Sequence, residues 1–239
     1  MSLSKYHRWT NWIGTDESGK GDYFGSLVVA GVFVDEEACH ELRAIGVADS
    51  KKLSDRRIRD IAPRIFEAHA NKMAWVELDP PAYNQRYETL QQNGQNLNDM
   101  LADLHSGIIQ TLINETNCFN IIVDRFANQV VLRKRVEKIL PHAQLLQVPK
   151  AESDIAVAAA SIVARYFFLH RIENLSHTYG LKFLKVLYML LIPEGNLFKV
   201  MANSNYETLL NSISERPLIS WPYDSGSWQH FIDTNDITW

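Results

Sequence analysis

Cysteine is nearly absent: Cys39 and Cys118 are the only two in 239 residues. Two such thiols give neither a disulfide framework nor metal-ligand spacing, and they fit a reducing compartment as small buried hydrophobes. The start, "MSLSKYHRWTNW", lacks the apolar stretch of a secretory leader. Long hydrophobic runs are missing as well. The longest, "VLYMLLI" at 186–192, falls far short of the ~20 residues a membrane helix needs. These absences lead us to expect a cytoplasmic protein with no membrane contact. Positive charge is not in excess, since 24 Lys and Arg face 28 Asp and Glu for a net charge of -4. That argues against a strongly basic nucleic-acid coat. It leaves room for a nuclease, whose catalytic carboxylates add negative charge. No internal repeat or low-complexity linker interrupts the chain.

What is present reads as alternating strands and helices. "WIGTD" (12–16) and the Val-rich "SLVVAGVFV" (26–34) are strands. A helix follows from about Glu36, and another starts at Ser54, an N-cap, with Ile58, Ile61 and Ile65 at helical spacing. "MAWVEL" (73–78), "NIIVD" (120–124) and "AQLLQV" (143–148) are further strands. "NLNDMLADLHSGIIQTLI" (96–113) and the small-faced "AVAAASIVARYFFLHRIENL" (156–175) are helices, with a basic helix near 130–140. The basic stretches "KKLSDRRIR" and "RKRVEK" read first as exposed helix faces. The whole is a mixed α/β domain.

Within it, "IGTDESGKGDYFG" (13–25) sets Gly14, Gly19 and Lys20 at the positions of a phosphate-binding P-loop, with Gly21 in place of the final Ser or Thr. A P-loop NTPase is a poor reading. The loop leads into a strand rather than a helix, so no helix N-terminus is available to the phosphates. Asp16 and Glu17 lie inside the supposed cradle, and the hydroxyl that would hold magnesium is missing. Those same carboxylates suggest another chemistry. Asp16 and Glu17 end one strand and Asp124 ends another, while Glu152 or Asp154 precedes the long alanine-rich helix. If the first and fourth strands are parallel neighbours, the acids converge. Four oxygen ligands suit a pair of hard cations about 3.5–4 Å apart doing phosphoryl chemistry. Each acid alone reads as a cap or turn residue; the signal lies in the set.

The segments "GTDESGKGDYFGSLVVAGVFV", "DSKKLSDRRI", "NLNDMLADLH", "IIVDRFA" and "KAESDIAVAAASIVARY" resemble, in order, the motifs of ribonuclease HIII, a type 2 ribonuclease H, with "DYFG" favouring HIII over HII. The resemblance covers about 12–183. It implies a ribonuclease H-like α/β fold with a five-stranded mixed sheet in the order 3-2-1-4-5. It also implies an endoribonuclease that cuts the RNA strand of RNA/DNA hybrids with two Mg2+ or Mn2+ ions, giving 3'-hydroxyl and 5'-phosphate ends. Asp16, Glu17, Asp124 and Glu152 fall on its metal-binding acids, Glu152 being favoured over Asp154. Ser18, Gly19, Lys20 and Gly21 fall on its substrate loop, and Lys51 and Lys52 on phosphate-neutralising positions. No obligate protein partner is implied, so a monomer is expected. A hybrid-binding remnant with impaired catalysis is the alternative.

Two departures accompany the resemblance. Only 13 residues precede Gly14, so the amino-terminal substrate-binding domain common in this type is expected to be missing and hybrid affinity to be low. After "YGLKF" (179–183) the family pattern stops. Rebuilding each codon from the third base of one and the first two of the next, with permissible third bases, can turn Phe183 to Leu187 into P-K-G-A, Tyr188 to Ile192 into Y-A-V-D, and Thr208 to Ser214 into V-A-K-L-H-F; a genuinely divergent carboxy-terminal segment is the alternative. After Arg216 there is no Lys or Arg, while three of six tryptophans fall there. We therefore expect a catalytic domain at 1–183 and an out-of-frame tail at 184–239.

Overall fold

The computed structural model describes residues 4–22, 24–125 and 129–179. The expected out-of-frame tail, 184–239, lies outside the described residues, as do Tyr23 of "DYFG" and 126–128 of "IIVDRFA". Strands β1 (Trp12–Ser18) and β2 (Leu27–Val34) pair antiparallel, with Trp12 opposite Val34 and Ser18 opposite Val28. β2 is apolar without alternation because both of its faces are covered. Val28, Ala30, Val32 and Val34 enter one core, and Leu27 and Val29 the other. Helix α1 (Glu36–Ile45) starts where Asp35 accepts the Ala38 N–H, and α2 (Asp55–His69) starts where Ser54 accepts that of Arg57. α2 buries Ile58, Ile61 and Ile65, the stripe its spacing foretold. Lys51 and Lys52 precede it in a short 3-10 turn, Ser50–Lys52, rather than on a helix face.

Strand β3 (Met73–Leu78) adds antiparallel to β2. Helix α3 (Pro80–Gln92), capped by Asp79, was not expected from the sequence; it buries only Leu90, and the rest of its inward face is the half-buried, stacked pair Tyr83 and Tyr87. Helix α4 (Leu97–Thr116) opens with a capping box between Asn96 and Asp99. Strand β4 (Asn120–Asp124) lies parallel to β1 and β5 (Gln144–Val148) parallel to β4, with the basic helix α5 (Gln129–Ile139) between them. The sheet order is β3-β2-β1-β4-β5, the order the resemblance implied. Both cysteines are buried.

Helix α6 (Ile155–Tyr179) is long and apolar enough to cross a bilayer by length and composition alone, yet most of its apolar stretch is buried inside the protein. Ala156, Val157, Ala159, Ala160, Ile162, Val163 and Ala164 are fully covered. These residues form one core with Trp12, Val28, Ala30 and the buried faces of α1 and α2. The small-residue face allows unusually close contact with β1. A Cβ at Gly14 would come 2.4 Å from the Val157 backbone nitrogen. Gly14 thus serves helix-to-strand packing, not phosphate cradling.

Candidate active site

The parallel register sets Thr15 beside Val123, so the next residues, Asp16 and Asp124, come side by side. Asp124 ends β4, whereas β1 runs on past the expected end at Asp16 to Ser18, because Asp16, Glu17 and Ser18 still pair with β2. Because side chains alternate along a strand, Thr15 and Glu17 face α4 while Asp16 faces α6. The Asp16 carboxyl is pushed up to about 8, first by burial and then by the charge of Glu17, with Asp124 adding to both. A hydrogen bond with Ser161 of α6 and the Glu17 N–H, which donates to Asp16 Oδ1 at 2.9 Å, pull the other way. Ser161 is in turn 2.5 Å from the Ser50 hydroxyl, and Arg165 donates to the Ser50 carbonyl and pairs with Asp55 at 2.6 Å. The turn carrying the lysines is therefore fastened to the helix that meets Asp16.

On the other face, Glu17 Oε2 lies 3.3 Å from His105 Nε2 of α4, and Glu17 Oε1 lies 4.0 Å from Lys20 Nζ. Burial pushes the Glu17 carboxyl up, but His105, Lys20 and Lys51 together outweigh it and hold it below the usual range. Asp124 Oδ1 accepts the N–H groups of Arg125 and Ala151 at 3.0 and 3.1 Å. This bond ties the end of β4 to the 3-10 turn Ala151–Ser153, which carries Glu152.

Glu152 is 9% exposed, with Oε1 3.3 Å from Lys51 Nζ and Oε2 buried without a hydrogen-bond partner. Asp154 turns inward instead. It is 2% exposed and accepts from Ser4 Oγ at 2.7 Å, Trp12 Nε1 at 2.9 Å and the Ala156 N–H at 3.0 Å, with His7 Nε2 3.4 Å away. It fastens the segment before β1 to the start of α6.

Lys51 is the common neighbour of the acids. Burial would lower its pKa, but Glu152, Asp16 and Asp124 outweigh that and raise it, and its charge also reaches Glu17. Lys52 lies 3.6 Å from Asp49 with its side chain 80% exposed. Ser18 closes β1, and the following turn takes Gly19 and Gly21 to φ +84° and +78°. A Cβ on Gly19 would also lie 2.0 Å from the Ser26 carbonyl oxygen, so only glycine fits there. Among the described residues, no three His, Cys, Asp or Glu side chains stand close enough together to hold a metal ion as they are placed. The acids converge around a lysine instead.

Sequence reasoning missed Thr15, His105 and Ser161. The signal for His105 was one imidazole in the apolar stripe Leu101, Ile108 and Leu112 of α4, all of it buried.

Residues 13–185 match the Ribonuclease HII family. Ribonuclease HIII of Protochlamydia amoebophila is 42% identical over 167 residues, which cover 70% of this chain and 54% of that protein. Ribonuclease HIII of Staphylococcus haemolyticus is 36% identical over 172 residues, with 70% and 54% covered. The crystal structure of Bst-RNase HIII in complex with Mn2+ superposes with a TM-score of 0.67 at 33% identity, covering 83% of this chain and 64% of that one. For Aquifex aeolicus RNase H3 the TM-score is 0.64 at 27% identity, with 81% and 68% covered. The chain spans about half the length of the curated relatives it matches. With the sheet order, the clustered acids and the matched segment in agreement, the chain belongs to the ribonuclease HII family.

Proposed function

We propose that this chain is an endoribonuclease that hydrolyses the RNA strand of RNA/DNA hybrids with two divalent ions, leaving 3'-hydroxyl and 5'-phosphate ends. The observation that carries this is the meeting of Asp16 and Asp124 on adjacent parallel strands, with Lys51 feeling both of them and Glu152 and touching the field of Glu17. Mg2+ or Mn2+ fits the donor set. All four groups are hard oxygen donors. One Glu152 oxygen is buried without a partner, and burial with the Glu17 charge holds a proton on Asp16 that a divalent ion would displace. A relative of known structure was solved with Mn2+.

Asp16, Glu17, Asp124 and Glu152 would hold the ions, which when bound activate water and stabilise the leaving oxygen. The Ser18-Gly19-Lys20-Gly21 turn, with two left-handed glycines, brings backbone close to the scissile strand and its 2'-hydroxyls, the groups that separate RNA from DNA. Lys51 and Lys52 neutralise phosphates. The same proposal takes 1–183 as the catalytic unit, acting as a monomer in the cytoplasm. The family match ends at residue 185, close to the expected change of frame, and the codons around 183 test that change directly.

Purified protein is expected to nick the labelled RNA strand of a hybrid in Mg2+ or Mn2+ and to leave duplex DNA intact. Cleavage that survives a chelator, or equal attack on duplex DNA, sinks the assignment. Hybrid binding is expected to be weak, because the net charge of -4 leaves no excess of cations, and to fall as salt rises, because the contacts proposed here are to phosphates. Lys51→Ala is expected to weaken binding of every hybrid sequence alike and to reduce the salt slope by about 1. A loss confined to particular sequences would mean base readout and would count against a phosphate role.

A further inference from the structure

We propose that His105 is a positioning residue for Glu17, fixing that carboxylate in the orientation in which it receives a divalent ion. The proposal rests on the nuclease reading above. His105 is fully buried on α4. Its Nδ1 lies 2.8 Å from Thr15 Oγ1 and its Nε2 lies 3.3 Å from Glu17 Oε2. Thr15 and Glu17 are two apart on β1, so both project toward the same imidazole.

The direction of the bonds follows from elementary chemistry. An ionised carboxylate only accepts, so the 3.3 Å approach of Nε2 to Glu17 requires the hydrogen on Nε2, in a contact longer and less well aligned than the bond to Thr15. The Thr15 hydroxyl both donates and accepts, so it satisfies Nδ1 whether or not that nitrogen is protonated. The contact with Glu17 therefore persists in either charge state of the ring. A ring flip would turn C–H groups toward both partners, and burying an imidazole in an apolar stripe with its nitrogens unsatisfied is costly. The ring is thus pinned by Thr15, and it pins Glu17 Oε2 in turn. Glu17 Oε1 remains on the side of Lys20. Outer partners that orient metal ligands in this way typically change metal affinity or activity 10–100-fold when removed.

The test measures Mn2+ binding without nucleic acid, by calorimetry, beside hybrid cleavage as a function of Mn2+. His105→Leu is expected to bind Mn2+ about 10–100-fold more weakly and to regain much of its cleavage rate at high Mn2+. His105→Gln, whose amide N–H reaches the place of Nε2, is expected to recover most of the affinity. Thr15→Val, which removes the ring's other anchor, is expected to fall between wild type and His105→Leu. A merely structural histidine would lower the melting temperature in all three variants and leave the Mn2+ isotherm where it was. Wild-type affinity in His105→Leu, or His105→Gln as weak as His105→Leu, overturns the proposal. If His105→Leu does not fold, Thr15→Val decides, since unchanged affinity there means that the ring needs no anchor. A wild-type chain that neither binds Mn2+ nor cuts hybrids overturns the nuclease reading itself, and this proposal with it.

Discussion

Asp16→Asn is expected to abolish hybrid cleavage while making the metal-free protein more stable. The two effects share one cause. In the folded chain the Asp16 carboxyl is held near 8 rather than 3.8, first by burial and then by the charge of Glu17. For an acid whose folded pKa is raised, the native state keeps a proton that the unfolded chain has already released between those two values. Stability of the metal-free protein therefore falls as pH rises from about 4 to about 8, by at most about 1.4 kcal/mol per unit. Above that window both states are ionised and the slope ends. Asparagine carries no charge to desolvate, and its carbonyl oxygen can still accept the Glu17 N–H. Each 1 kcal/mol relieved is worth about 2–4 °C in melting temperature for a protein of this size.

The same change removes a charged ligand from the proposed ion site. The loss of activity should exceed the ~100-fold that losing an outer partner costs. Thermal melts from pH 5 to 8, with and without Mn2+, check both halves. Wild type should lose stability with pH and regain it with Mn2+, whereas Asp16→Asn should show a flatter profile and little response to the ion. An Asp16→Asn protein that still cleaves, or that melts below wild type at pH 7.5 without metal, would refute this account of the site.

How far the sequence reveals such a site depends on the range of the interactions that build it. The strands were legible because β-branched runs such as "LVVAGVFV" and "IIVD" have few alternatives. The meeting of Asp16 and Asp124 was legible only through the resemblance, since no local pattern states that β1 and β4 are parallel neighbours. Helix α3 escaped notice because its inward face is one leucine, Leu90, and two half-buried tyrosines, Tyr83 and Tyr87, in an otherwise polar segment. Spacing could not distinguish Glu152 from Asp154, and burial does not either, since both are buried; their partners differ. One leaves an oxygen without a partner beside Lys51. The other is taken up by Ser4, Trp12 and His7, more than 140 residues away along the chain. The Thr15–His105–Glu17 contacts were out of reach for the same reason, although the histidine inside an apolar stripe marked the place.

Gly14 stands at a P-loop position but serves packing, in line with the rejection of a P-loop from sequence, and it yields the second large effect. Gly14→Ala is expected to destabilise the fold severely, although its backbone is not in the left-handed region that demands glycine. The cost is wholly steric. An added Cβ would lie 2.4 Å from the Val157 nitrogen, 2.5 Å from the Ala156 carbonyl carbon and 2.7 Å from the Ala156 Cβ. No flexible side chain is available to move aside, so α6 must shift away from β1. Overpacking in cores costs about 1–3 kcal/mol when side chains can adjust, and here the obstacle is helix backbone, so the loss should reach or pass the upper figure. Gly21→Ala is the comparison. Its φ is +78° but nothing lies within 4 Å of the added carbon, so it should lose only the ~1–2 kcal/mol of left-handed strain. Displacing α6 also carries the turn with Glu152, which immediately precedes it, away from Asp124. Folded Gly14→Ala should therefore cleave more slowly than its stability alone would explain. Chemical denaturation of the two variants, read at the midpoint with unchanged m-value, separates the causes. If Gly14→Ala unfolds at the same midpoint as Gly21→Ala or later, α6 does not lie this close to β1, and the small-residue face has another purpose.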